Sequence, residues 1–157
     1  MIKMDMKFAV FYMIITGFIT HYFIMSNVMS YNLGNITNNL SKIYLSSCMA
    51  FIMGILEVLM HDMQHKTMSY QYYIPLFICF GGSLRLYRRQ VAITEVDYLK
   101  EMIEHHDMAL FTSKNILDKP NISPRVRGLA SRIVNDQTKE IEEMKGLIKE
   151  ENNKKAQ

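Results

Sequence analysis

Three stretches decide the fold: FAVFYMIITGFITHYFIM from Phe8 to Met25, IYLSSCMAFIMGILEVLM from Ile43 to Met60, and YQYYIPLFICFGGSLRLY from Tyr70 to Tyr87. About 20 mostly apolar residues, rising about 1.5 Å each, are enough to cross the hydrocarbon core of a bilayer. Each stretch therefore reads as a transmembrane helix. Around the third, Tyr70, Tyr72 and Tyr73 at one end and Arg85, Arg88 and Arg89 at the other suit the two interfaces, where aromatic rings and snorkelling arginines settle. Pro75 and the Gly81-Gly82 pair are tolerated inside such helices. A signal peptide is the competing reading of the first stretch, because lysines precede it. No small-x-small cleavage site follows, and two more apolar runs do. Buried helices of a soluble protein are the competing reading of all three, disfavoured by three such runs in one short chain.

The remainder of the chain is of another kind. Of 157 residues, 49% are hydrophobic and 21% charged, but the charges crowd after Tyr87, so the two parts face different solvents. The net charge of +3 is small, and the basic residues alternate with acids, so no nucleic-acid partner is indicated. Cys48 and Cys79 sit in apolar stretches without a CxxC spacing. They read as small buried apolar residues and not as a disulfide framework or thiolate zinc site.

From Ile93 the apolar residues adopt a helical period: Val96, Leu99, Met102, Ile103, His106, Ala109, Leu110, Ile116 and Leu117 share one side. Thr94 with Asp97 three residues on predicts a capped start, and Asp118-Lys119-Pro120-Asn121 an end. Ser123 and Pro124 then open a second helix, with Val126, Leu129, Ile133, Val134, Ile141, Met144, Leu147 and Ile148 as its stripe. The short connection makes the pair an antiparallel hairpin. The expectation is an all-α chain with three transmembrane helices over 1–90, a hairpin over 91–150 and a frayed polar tail over 151–157. A lone hairpin encloses little core and needs another surface. A second copy would complete a four-helix bundle as a homodimer; packing on the membrane part is the alternative.

Chemistry concentrates in methionine and histidine. The 14 Met read first as flexible apolar filling. Their positions say more. Met13, Gly17, His21, Met25 and Met29 recur every four residues along the first span, and Met49, Met53, Glu57 and His61 along the second. In antiparallel spans, His21, Met25 and Met29 fall level with Met49 and Met53. Met60, His61, Met63, His65 and Met68 gather in the next loop, which reads equally as metal capture or as an ordinary polar turn. An imidazole inside a span is costly unless paired and marks a functional site by default, whereas Glu57 reads as a helix-end carboxylate. In the hairpin, Met102 lies three and four residues from His105 and His106, so a thioether and two imidazoles can border one point, with Met108 on a neighbouring face. Asp136, Gln137 and Glu140 fall near that level, and Met144 one to two turns further on. Thioethers select Cu(I), and imidazole suits several metals, so Met/His sets without thiolates point to copper or silver before zinc.

These residues carry a resemblance. Met102-Ile103-Glu104-His105-His106-Asp107-Met108-Ala109-Leu110-Phe111-Thr112, followed by Gln137-Thr138-Lys139-Glu140-Ile141-Glu142-Glu143-Met144, is similar to the pattern of the bacterial domain of unknown function 305. That family is similar to copper-resistance proteins and is placed in the ferritin-like helical class. Glu104 stands where the family has Pro, and Thr112 where it has Met. A subgroup with three spans, a Met-Gly second helix and a Met/His loop resembles the first part of the chain; compare Met53-Gly54 and Met60 to Met68. The resemblance implies a membrane-anchored protein that sequesters or hands on copper, without catalysis. A structural hairpin that only dimerises is the alternative. A di-iron oxidase is disfavoured, because no Glu-x-x-His pair occurs; neither is there a nucleophile turn or phosphate loop. Lys3 and Lys7 argue for a cytoplasmic N-terminus and Arg85, Arg88 and Arg89 against it. The resemblance favours a bacterial inner membrane with the hairpin outside. Asn35 and Asn39 begin glycosylation sequons.

Overall fold

The computed structural model describes residues 5–155. Lys3, used above for orientation, and residues 156–157 of the expected tail lie outside them. The described chain runs through α1 (Met6–Ile19), a π-helical stretch (Thr20–Met25), α2 (Ser26–Met29), a 3-10 turn (Leu33–Asn35), α3 (Leu40–His65), α4 (Tyr70–Arg88), α5 (Glu95–Leu117) and α6 (Pro124–Lys155). It is all-α, with no strand among the described residues. Contacts divide it into two units: residues up to Met25 with Leu40–Ala92, and Ser26–Asn39 with Ile93 onward.

In the first unit α1 and α4 both pack on α3. The inward stripe of α3 is Ser46, Ala50, Gly54, Val58 and Asp62, all buried and four residues apart. Small residues on this stripe let backbones approach. A Cβ on Gly17 would lie 2.9 Å from Met53 Cγ and 3.2 Å from the Ala50 Cα, and one on Gly54 would lie 2.9 Å from Ile14 Cγ1. Such small-residue contacts are how helices associate where no water drives them together. Val10, Val58 and Leu76 form the apolar centre, with Ile14, Phe51, Ile55, Tyr72 and Tyr73 packed against it. The outward surface is apolar as well: Phe8, Phe11, Phe23, Ile74, Phe77 and Ile78 are all more than half exposed.

Two helical stretches, Met6–Met29 and Leu40–His65, are long and apolar enough to cross a membrane. The expected third span does form a helix of 19 residues. Its tyrosines, Gln71, Pro75, Ser83 and Arg85 leave it less apolar than the other two, so two such helices stand where three were expected. The second span was expected to end at Met60, but α3 continues to His65, so most of the expected Met/His loop is helix and only Lys66–Ser69 connects α3 to α4.

In the second unit α5 and α6 form the expected hairpin. Thr94 opens α5 with a full capping box: its Oγ1 accepts from the Asp97 amide, and Asp97 accepts from the Thr94 amide. Ser123 Oγ accepts from the Val126 amide at the start of α6. The Arg127 guanidinium donates to the carbonyls of Leu117 and Lys119, supplying donors to the unpaired end of α5. Ile103, Leu110, Ile141 and Met144 form the core, flanked by Leu99, Met102, Val134 and Ile148. Residues 151–155, expected to be frayed, continue α6.

Candidate functional site

Between α5 and α6 one contact marks the register: His106 Nε2 lies 2.8 Å from Glu140 Oε2. Met102 stands four residues before His106 and Met144 four after Glu140, so antiparallel pairing brings both thioethers to the next level. Met144 is buried in the core and Met102 packs against it. The other ring nitrogen of His106, Nδ1, lies 2.6 Å from the Met102 carbonyl, to which it donates. That bond fixes the ring and turns Nε2 toward α6. His105 does not join it; it is exposed, about 100° around the helix from His106. Met108 is half-buried on another face. The hairpin thus pairs His106 with Glu140, packs Met102 and Met144 into one core, and leaves the second imidazole outside.

The other side of the same turn carries an arrangement that periodicity did not foretell. Asp107 is 1% exposed and collects four donors from the 26–39 segment. Oδ2 accepts from Ser30 Oγ at 2.6 Å and from the amides of Tyr31 at 2.7 Å and Asn32 at 3.0 Å, and Oδ1 accepts from Asn35 Nδ2 at 2.6 Å. Burial pushes the carboxyl up, but the bonds from Ser30, Asn32, Asn35 and Tyr31 outweigh it and hold Asp107 below the usual carboxylate range. One turn earlier, Glu104 Oε1 accepts from the Thr37 amide at 2.7 Å and its Oε2 from Ser26 Oγ at 3.3 Å. Lys114 adds its ammonium 3.8 Å over the Tyr31 ring. Both sequon asparagines are buried in this segment, Asn35 as a donor to Asp107, so neither side chain is open to a glycan. A polar residue four after Ile103 and three before Leu110, on their buried line, was the available signal.

In the first unit the expected membrane-level cluster does not gather as spaced. The π-helical stretch takes more residues per turn than the about 3.6 of an α-helix, so spacing by four no longer holds one face. Gly17 lies against Met53, and His21 Nδ1 lies 3.0 Å from Ser46 Oγ, but Met25, Met29 and Met49 are exposed. Lys42 reaches over the Tyr22 ring at 5.1 Å. Of the cysteines, Cys48 is buried as expected and Cys79 is exposed; both are free thiols.

At the far end of α3, His61 and His65 stack with ring centroids 4.2 Å apart. Met60, Met63 and Met68 are exposed around them. Asp62, buried between the helices, accepts from Thr67 Oγ1 and from the amide and hydroxyl of Ser69, closing the turn into α4. Among the described residues no three or more His, Cys, Asp or Glu side chains converge as a metal site.

Fold and site together define a helical protein in which long apolar helices are joined to a capped hairpin carrying a His-carboxylate pair, with Met102 and Met144 in its core. Residues 85–157 match the model of the family described as Domain of unknown function (DUF305), which supports the resemblance read from α5 and α6. The chain is also 28% identical, over 138 residues, to an uncharacterized protein of Acanthamoeba polyphaga mimivirus. That alignment covers 88% of this chain and 90% of the viral protein, so it takes in the apolar helices as well as the hairpin. No solved structure matches.

Proposed function

We propose that the protein is a membrane-anchored copper-binding protein, holding Cu(I) between α5 and α6 through His106, Met102 and Met144. The observation that carries this is the orientation of His106. With Nδ1 donating to a backbone carbonyl, Nε2 is the nitrogen left to face a ligand, the arrangement that fixes metal-bound imidazoles. An incoming ion would displace the proton shared with Glu140, which then becomes a carboxylate donor or withdraws. The two thioethers make the set soft, which favours Cu(I) over zinc. The proposed output is binding or transfer.

The outward apolar surface of the first unit supports a bilayer as its solvent. In this reading α4 is a third crossing, about 28 Å long, with tyrosines at one interface and Arg85 and Arg88 at the other. A dimerising hairpin is the second reading, favoured by the exposure of Val126, Leu129 and Leu147 on α6.

Metal analysis of the detergent-purified full chain, with copper, silver, zinc and iron offered together, tests the proposal. Copper or silver is expected to be retained, with sulfur and nitrogen neighbours by X-ray absorption. H106A and M144A should lose the ion while H105A keeps it. Unchanged stoichiometry in an H105A/H106A double variant would falsify the site.

A further inference from the structure

We infer that the outer face at the end of α4 is a docking surface for an anionic phospholipid, with Arg85, Arg88 and Arg89 meeting the headgroup phosphate and Gly81 and Gly82 lying under an acyl chain. This rests on the reading of α4 as a membrane crossing. At about 100° per residue, Ile78, Gly81, Gly82, Arg85, Arg88 and Arg89 fall within about 60° either side of one line along the helix, and all are exposed. Arg89 is the C-cap and keeps helical angles, φ −94° and ψ 0°, so it stays in phase with the other two. Leu76, the buried residue of α4, is half a rotation from Arg85 and packs with Val10 and Val58. The arginine face is therefore the one turned away from the other helices of the unit.

Three cations spaced three and four residues apart repel one another and need an anion. Among the described residues none of the three guanidinium groups holds an ion pair or side-chain hydrogen bond. No Asp or Glu occurs between Asp62 and Glu95. The acids of the first unit lie at its other end. α1 and α3 run antiparallel, with Gly17 beside Ala50 and Ile14 beside Gly54, so Asp5 at the start of α1 is level with the later part of α3 that holds Glu57 and Asp62. The end of α4 is tied instead to the start of α3, where Tyr44 Oη donates to the Val91 carbonyl at 3.1 Å. One turn before the arginines, a Cβ on Gly81 or Gly82 would meet nothing within 4 Å, which leaves a recess in the apolar face beside Ile78. Guanidinium forks match phosphate oxygens, and the recess takes hydrocarbon. A free phosphate would use only the first of these; a phospholipid uses both.

The full chain, reconstituted in phosphatidylcholine vesicles with traces of spin-labelled phosphatidylglycerol or spin-labelled phosphatidylcholine, tests the surface through the fraction of label that the protein immobilises. Each basic residue near an anionic headgroup contributes about fivefold in association. Phosphatidylglycerol is expected to be preferred at least fivefold by the wild type, with the preference falling close to one in R85Q/R88Q/R89Q and persisting in R85K/R88K/R89K and in K66Q. G81L/G82L, which fills the recess and leaves the charges, should reduce the immobilised fraction of phosphatidylglycerol at least twofold. Inorganic phosphate, added at constant ionic strength, should displace none of it. Equal association of the two lipids with the wild type, a preference unchanged in R85Q/R88Q/R89Q, no effect of G81L/G82L, or displacement by inorganic phosphate would each overturn the inference. If the chain is stripped from the vesicles by alkaline carbonate, the membrane reading falls and takes this inference with it; a chain that stays but treats both lipids alike refutes this inference alone.

Discussion

Asp62 and Asp107 are both buried carboxylates, 5% and 1% exposed, yet they are held in opposite ways. Asp62 takes its donors from Thr67 and Ser69, five and seven residues along the chain. Asp107 takes its donors from residues 72 to 77 positions away. The first carboxylate closes a turn that its own helix brings within reach; the second joins segments that only the finished fold brings together. A local clamp costs little chain entropy to make, whereas a non-local one must offset the ordering of the whole 26–39 segment.

Removing the acceptor should expose this contrast. D107A leaves the buried Asn35 amide without its acceptor and releases the Ser30, Tyr31 and Asn32 donors, and is expected to lower the stability of the second unit by about 3 kcal/mol, read from thermal or denaturant melts in detergent. A change under about 1 kcal/mol would mean that the 26–39 segment contributes nothing to holding α5.

Acid should act at the same place. The Asp107 carboxyl is depressed in the folded protein, so its contribution is complete above the unfolded value of about 3.9 and is lost as pH falls through the lower folded value. Amide exchange at Tyr31 and Asn32 should accelerate below about pH 4 in the wild type. The isosteric D107N variant should lose that component of the acid response, and an identical pH profile in both would assign it elsewhere. D62A should cost less, about 2 kcal/mol, because Ser69 and Thr67 sit in a short turn that water can reach once it loosens. Its effect on exchange should stay within residues 62–73; a spread into the second unit would break the contrast. T94A, which removes one side of an exposed capping box, should cost about 1 kcal/mol and fray only the first turn of α5.

What the sequence displayed was governed by neighbours in the chain. Thr94 with Asp97, and Ser123 with Pro124, announced the ends of the hairpin helices because capping is decided within three residues. The hairpin register followed from a short connection and two apolar stripes, and it placed Glu140 near the level of His106, with Met144 one to two turns further on. The π-helical stretch at Thr20–Met25 was hidden because counting by fours assumes α geometry throughout, and Met25 is exposed for that reason. The end of α3 lies beyond the expected Met60 because His61, Asp62, Gln64 and His65, whose polarity reads as a loop, continue the helix to His65. The burial of Asp107 was readable from its place on the line of Ile103 and Leu110, but the partners of Glu104 and Asp107 were not, since they are far away in sequence and carry no pattern of their own. His105 and His106 stood together as a motif, yet adjacent helical residues diverge by about 100°, and only His106 turns inward.

The donors gathered by Asp107 have a consequence for how the protein is made. A ribosome completes residues 26–39 well before it reaches α5, so this Asn-rich stretch must wait, with its amides satisfied by solvent, until the acidic turn at 104–107 emerges. The second unit is therefore sealed late in synthesis. An excised hairpin beginning near Ile93 would be missing the piece that covers Asp107, and should be judged as an incomplete body.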